Sequence, residues 1–110
     1  MPLINLSHAE TFVDGLDHPE GVAFGPDGCI HAGGEAGQLY RIDIESRVVD
    51  TYADTGGLNL GLALDAAANV YVCTPGRSAV FRVTPGGDVS LYSDGTAERK
   101  MFAPNYPAFD

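Results

Sequence analysis

Basic residues are scarce: 6 Lys or Arg stand against 15 Asp or Glu, for a formal net charge of −9. A nucleic-acid binder needs a basic footprint to displace phosphate counterions, so that class of partner is excluded. Long apolar runs are missing too. None approaches the roughly 20 residues that span a bilayer, so no membrane partner is expected. The segment MPLINLSHAETFVDG has neither the positive start nor the apolar centre of a secretory leader. Only two cysteines occur, Cys29 and Cys73, which suits neither a disulfide-dense scaffold nor a zinc-finger spacing. A reducing, cytoplasmic compartment is the resulting expectation. Strong helix formers almost never gather into a run, and 14 Gly and 7 Pro interrupt the chain, which disfavours a helical bundle. What remains, 45% hydrophobic and 19% charged residues in 110, is an ordinary globular composition for one domain.

What is present is repetition. At an offset of 40, ETFVD (10–14) returns as DTYAD (50–54), and EGVAFGPDGCIHA (20–32) returns as LGLALDAAANVYV (60–72). LYRI (39–42) returns one residue later as VFRV (80–83). After Asp94 a connection five residues longer leads to NYPAFD (105–110), which opens a third copy with Ala108-Phe109 in register with Ala23-Phe24 and Ala63-Leu64.

Each copy reads as four short strands. In the first they fall at 21–24, 29–32, 38–43 and 47–52. In the second they fall at 61–64, 69–73, 79–84 and 88–92. Pro26-Asp27-Gly28 and Thr84-Pro85-Gly86-Gly87 are turn formers. Four strands per period of about 40 residues is the pattern of propeller blades. A β-sandwich also has short, even strands but requires no such repeat, and a solenoid has shorter periods. The reading is therefore an all-β chain of the β-propeller type, with blade 1 over 20–54, blade 2 over 60–94 and the start of blade 3 over 105–110. Residues 10–13 match the fourth strand of a blade and are expected to close the last blade of a ring. Two blades are fewer than the usual 4–8. The expectation is thus the first third of a longer protein, with assembly of several copies, or self-association through open blade edges, as the rival.

In a propeller the first strand of every blade lines the central channel. The alignment puts Glu20, Leu60 and Asn105 at the same leading position, so their side chains are candidates for one shared surface. Glu and Asn supply hard oxygen ligands suited to Ca²⁺, Mg²⁺ or Mn²⁺. The plainer readings are a solvated carboxylate after Pro19, and a turn former between Pro104 and Pro107.

HPEGVAFGPDG, followed by GLALDAAANVYV and PNYPAFD, resembles the N-terminal part of the SMP-30/gluconolactonase/LRE family. The resemblance runs from about Glu10 to the last residue. It implies a six-bladed propeller and metal-dependent hydrolysis of lactones, with sugar-acid lactones as the expected small-molecule substrates. It also implies a divalent ion (Ca²⁺, Mg²⁺, Mn²⁺ or Zn²⁺) held in part by Glu20, with Asn105 beside the substrate. In that family the remaining ligands, an Asn and an Asp, come from later blades, so this chain by itself is expected to be inactive. Phe24 stands in the strand where the family often carries Trp, and Tyr106 follows Asn105 where Asp is common. The GLALD and NVYV wording is shared with NHL-type and streptogramin-lyase-like propellers. A non-enzymatic propeller that binds a partner or small ligand is therefore the alternative.

Other residues read more plainly. His8 lies near the chain start, His18 is read as a surface loop residue, and His31 as packed within its blade. Cys29 and Cys73 are read as small apolar groups. Arg41 and Arg82 are repeat-equivalent and expected to pair with acids across strands. Residues 99–102 form a solvated loop or a cap over a pocket.

Overall fold

Turn chemistry sets where the strands begin. At Gly25–Gly28 the chain reverses through a Gly28 N–H bond to the Gly25 carbonyl of 3.3 Å, with Gly28 at φ 76° and the Cys29 N–H bonded to Asp27 Oδ1. Asp65 performs the same service in the second copy, accepting from the backbone N–H groups of Ala67 and Asn69. The computed structural model describes residues 3–110. β1 (Val22–Phe24), β2 (Cys29–Gly33), β3 (Gln38–Asp43) and β4 (Val49–Asp54) form one antiparallel four-stranded meander. β5 (Leu62–Leu64), β6 (Val70–Thr74), β7 (Ala79–Val83) and β8 (Val89–Ser93) form a second. The chain is all-β: its helical residues, among those described, are the 3₁₀ turns Leu6–His8 and Pro75–Arg77. Among the described residues, no helix is long and apolar enough to cross a membrane.

The sheets repeat one another in detail. Both carry a register irregularity in the pairing of their last two strands, at Leu39/Tyr40 and at Val80/Phe81. One face of the first sheet gathers Val22, Phe24, Ile30, Ala32 and Ile42, because cross-strand partners share a face. The matching face of the second sheet is Leu62, Leu64, Val70, Val72 and Val83. That second set packs with Ala23, Leu39, Tyr52 and Ala53 from the opposite face of the first sheet, and this inter-sheet seam is the hydrophobic core. The same position therefore has two fates: Leu62 is 1% exposed, whereas its counterpart Val22 is 60% exposed.

Polar groups close the seam. The side chain of Asn59, in the crossover between the sheets, is fully buried. Its backbone N–H donates to the Gly34 carbonyl at 3.1 Å and its Nδ2 to the Gln38 carbonyl at 3.0 Å. Its Oδ1 accepts from Thr55 Oγ1 at 2.6 Å and Thr74 Oγ1 at 2.9 Å. Gly33 makes room for it, since a Cβ there would lie 2.6 Å from the Asn59 Cβ. Arg41 crosses the seam at its outer end. It lies 4.3 Å over the Tyr52 ring, pairs with Asp50 at 3.1 Å and donates to the Pro85 carbonyl of the second sheet at 2.9 Å. Arg82, its repeat counterpart, enters no ion pair among the described residues.

His31 packs within its sheet, 1% exposed, with both ring nitrogens engaged. Nε2 lies 3.0 Å from Asp27 Oδ2 and Nδ1 3.2 Å from the Tyr52 hydroxyl. A neutral ring that donates from Nε2 to the carboxylate and accepts the tyrosine proton satisfies all three groups. Burial holds its pKa below the ordinary 6.5, against the pull of Asp27. At the equivalent place in the second sheet, the Tyr71 hydroxyl donates to Asp65 Oδ2 at 3.1 Å. Both cysteines are free, Cys29 half-buried and Cys73 buried, and burial pushes both thiols up in pKa, away from the reactive thiolate.

Three segments differ from expectation. Residues 10–13 are not a strand. A strand needs a ladder partner, and here the segment instead lays Phe12 and Val13 against the open face at Val22 and Ile30. Arg47 donates to the Phe12 carbonyl and lies over its ring. Residues 105–110 are also not a strand, and their backbone tie to the second sheet is one bond from the Gly61 N–H to the Asn105 carbonyl. The fourth strand begins at Val49 rather than residue 47, because Arg47 adopts φ 60° and closes a turn onto the Asp43 carbonyl.

Replacing Asn59 by Leu strands the buried Thr74 hydroxyl, whereas the Thr55 hydroxyl keeps the Gly57 carbonyl and the Gln38 carbonyl keeps the Gly34 N–H. With one buried group left unpaired, urea unfolding is expected to show a loss of about 1–3 kcal/mol. A change within about 0.5 kcal/mol, the size of an ordinary surface substitution, contradicts the hub role. His31 adds pH dependence. Its folded pKa is depressed, so the unfolded state binds more protons as pH falls. Its contribution is full above about pH 6.5 and declines below it. His31→Tyr, which copies the Tyr71 arrangement, is expected to flatten that slope between about pH 7 and 5.5. Parallel slopes for both proteins contradict the assignment.

Candidate functional site

The leading segments of the repeats meet at one end of the two sheets. A Cβ on Gly21 would fall 2.5 Å from the Leu60 carbonyl oxygen and 3.1 Å from the Gly61 Cα, so the two segments touch backbone to backbone there. Gly61 in turn donates to the Asn105 carbonyl at 2.8 Å and is covered by the Tyr106 ring. Glycine at 21 and 61 is what permits this approach. Glu20, Leu60 and Asn105 therefore start three segments that lie side by side. Glu20 and Asn105 are exposed and Leu60 is half-buried. The Glu20 carboxylate enters no hydrogen bond or ion pair among the described residues. It stands at the rim of an open groove of about 310 Å³, lined by Phe12, Leu16, Val22, Ile30 and Ile42.

A second polar group lies at the same end of the first sheet, because β1 starts where β2 finishes (Val22 opposite Ala32) and the β2–β3 turn follows at once. His18 Nδ1 is 3.0 Å from Asp17 Oδ1 and 2.9 Å from Glu35 Oε2. The other Asp17 oxygen accepts from the Ala36 N–H and from Gln38 Nε2, each at 3.1 Å. The backbone supports the arrangement: Asp17 N–H donates to the Tyr40 hydroxyl and Glu35 N–H to the Asp17 carbonyl. The hydrogen bond with Asp17, and the Glu35 charge after it, raise the His18 pKa above its ordinary value. The bonds from His18, Gln38 and Ala36 hold the Asp17 carboxyl below its own. His18 is 79% exposed at its side chain, as its reading as a surface residue requires. Its alignment with Asp17 and Glu35 left no trace in sequence spacing, since Glu35 is 17 positions away.

The remaining candidates are dispersed. His8 is an exposed residue of the first 3₁₀ turn. Residues 95–100 form a small exposed loop closed by a Gly95–Lys100 bridge, with Lys100 3.1 Å from Asp94. Met101 turns back into a second groove beside Tyr71, Tyr92 and Phe109. For an oxygen-seeking ion the chain thus offers Glu20 and the Asn105 amide on the two outer of three side-by-side segments, with Leu60 between them. For a borderline ion it offers the imidazole and two carboxylates of Asp17, His18 and Glu35. Comparison with protein-family models and with curated proteins returns no match.

Proposed function

We propose that the chain supplies two blades of a β-propeller of the SMP-30/gluconolactonase type, and with them part of a metal-dependent lactone hydrolase site. The observation that carries this reading is the side-by-side packing of the segments that begin at Glu20, Leu60 and Asn105. Repeat-equivalent residues at the head of each leading segment then share one surface, as ligands around a propeller channel must. Glu20 binds the ion through an exposed carboxylate that has no competing partner. Asn105 orients the lactone by hydrogen bonds from its amide. A divalent ion bound there supplies Lewis acidity toward the lactone carbonyl. A hard ion gathers about six to eight oxygens, more than Glu20 and Asn105 provide, so further ligands and the general base belong to blades beyond these two. The apolar groove next to Glu20 fits packing against another blade better than it fits a polar sugar acid. Substrate selectivity is accordingly assigned to loops outside this pair of sheets.

The test is Ca²⁺ titration of the chain followed by NMR, with a lactonase assay beside it. Weak binding that shifts Glu20 and Asn105 resonances, lost in Glu20→Gln, is expected, together with no lactone turnover. Equal shifts in Glu20→Gln overturn the ligand role. Metal-dependent turnover by this chain at an ordinary enzyme rate overturns the division of the site between blades. A propeller serving only as a binding module gives neither Ca²⁺ shifts nor turnover.

A further inference from the structure

We propose that Asp17, His18 and Glu35 form a separate binding site for a borderline divalent transition-metal ion, for which Zn²⁺ is the probe. The site does not use Glu20 and stands or falls independently of the lactonase reading. Three features carry it. The donor set is one imidazole and two carboxylates, a mixture that suits zinc, iron or cobalt and is poorly matched to the all-oxygen preference of Ca²⁺. The donor atoms are close enough to share an ion: His18 Nδ1 lies 3.0 Å and 2.9 Å from the two carboxylate oxygens, and all three lie within 4.8 Å of one another. Ligands held about 2.0–2.2 Å from a tetrahedral metal are themselves about 3.3–3.6 Å apart, so the group closes around an ion with small side-chain movements. Finally, the carboxylate of Asp17 is aimed by groups outside the trio. Gln38 Nε2 and the Ala36 N–H hold Oδ2, which leaves Oδ1 directed at His18. Outer donors of this sort orient metal ligands. The exposed face of His18 leaves room for water to complete the coordination shell.

Binding is an exchange of a proton for a metal ion. The hydrogen bond of His18 with Asp17 and its ion pair with Glu35 are given up, the Nδ1 proton of the imidazolium leaves to solvent, and Nδ1 and the two oxygens bind the ion in its place. The competing description is a protonated His18 paired with two carboxylates and no affinity for metal.

Zn²⁺ titration of the full chain, followed by calorimetry and by NMR of the histidine rings, separates the two. One equivalent is expected to bind and to shift the His18 ring while His8 and His31 stay in place. His18→Asn is the first variant, since Asn tolerates the φ of 42° at this position. Glu35→Gln is the second. Each is expected to weaken binding roughly tenfold or more, with the circular dichroism spectrum unchanged. Glu20→Gln is expected to bind Zn²⁺ as the wild type does. Equal Zn²⁺ affinity in His18→Asn, shifts centred on His8, or no binding at submillimolar Zn²⁺ overturns the proposal. Loss of Ca²⁺ shifts in Glu20→Gln alongside intact Zn²⁺ binding tells failure of one site from failure of the other.

Discussion

A single buried amide fixes how the two sheets meet. Asn59 reaches back to the carbonyls of Gly34 and Gln38 and forward to the hydroxyls of Thr55 and Thr74. Its backbone N–H and both polar atoms of its side chain are matched, so burying the side chain costs little. Any slide of one sheet against the other would break several of these bonds at once. Hydrophobic contact alone tolerates such slides, because apolar attraction has no direction. The amide therefore supplies the register that the apolar seam lacks. The adjacency of Glu20, Leu60 and Asn105 depends on that register being held.

The same design rule recurs inside each sheet. A carboxylate in the first turn grips the middle of the second strand, Asp27 on His31 and Asp65 on Tyr71. The ring that receives it sits against a tyrosine of the fourth strand, Tyr52 or Tyr92. Inner turn, second strand and outer strand are thus joined across the sheet by side chains as well as by the ladder. The two versions use different chemistry at one position. Only the histidine version carries a group that changes charge near neutral pH.

The strands were legible because their signals are local. Gly and Pro-Asp-Gly mark the turns, apolar residues alternate, and the offset of 40 aligns one sheet with the other. Boundaries slipped where a residue took an unusual backbone conformation, as Arg47 did at φ 60°. Residues 10–13 and 105–110 carry strand-like wording, yet wording does not make a strand without a ladder to join. Asn59 was invisible for a related reason: the repeats put Pro19 and Pro104 at its position, so the alignment that exposed Glu20 and Asn105 had nothing to say about it. Asp17, His18 and Glu35 meet only because β3 brings Gln38 and Tyr40 beneath them. A contact that depends on three elements leaves no pattern along one.

Among the described residues, every strand pairs only with its neighbours in sequence. Loops to be closed before a ladder can form are therefore short, and hairpins of this kind assemble in about 1–10 μs. Each sheet can thus complete its ladder without the other. What joins them is left to the long-range contacts of the seam, the Leu62 face and the Asn59 bonds to the Gly34 and Gln38 carbonyls. One sheet is therefore held to the next by a face and a crossover amide rather than by a shared ladder.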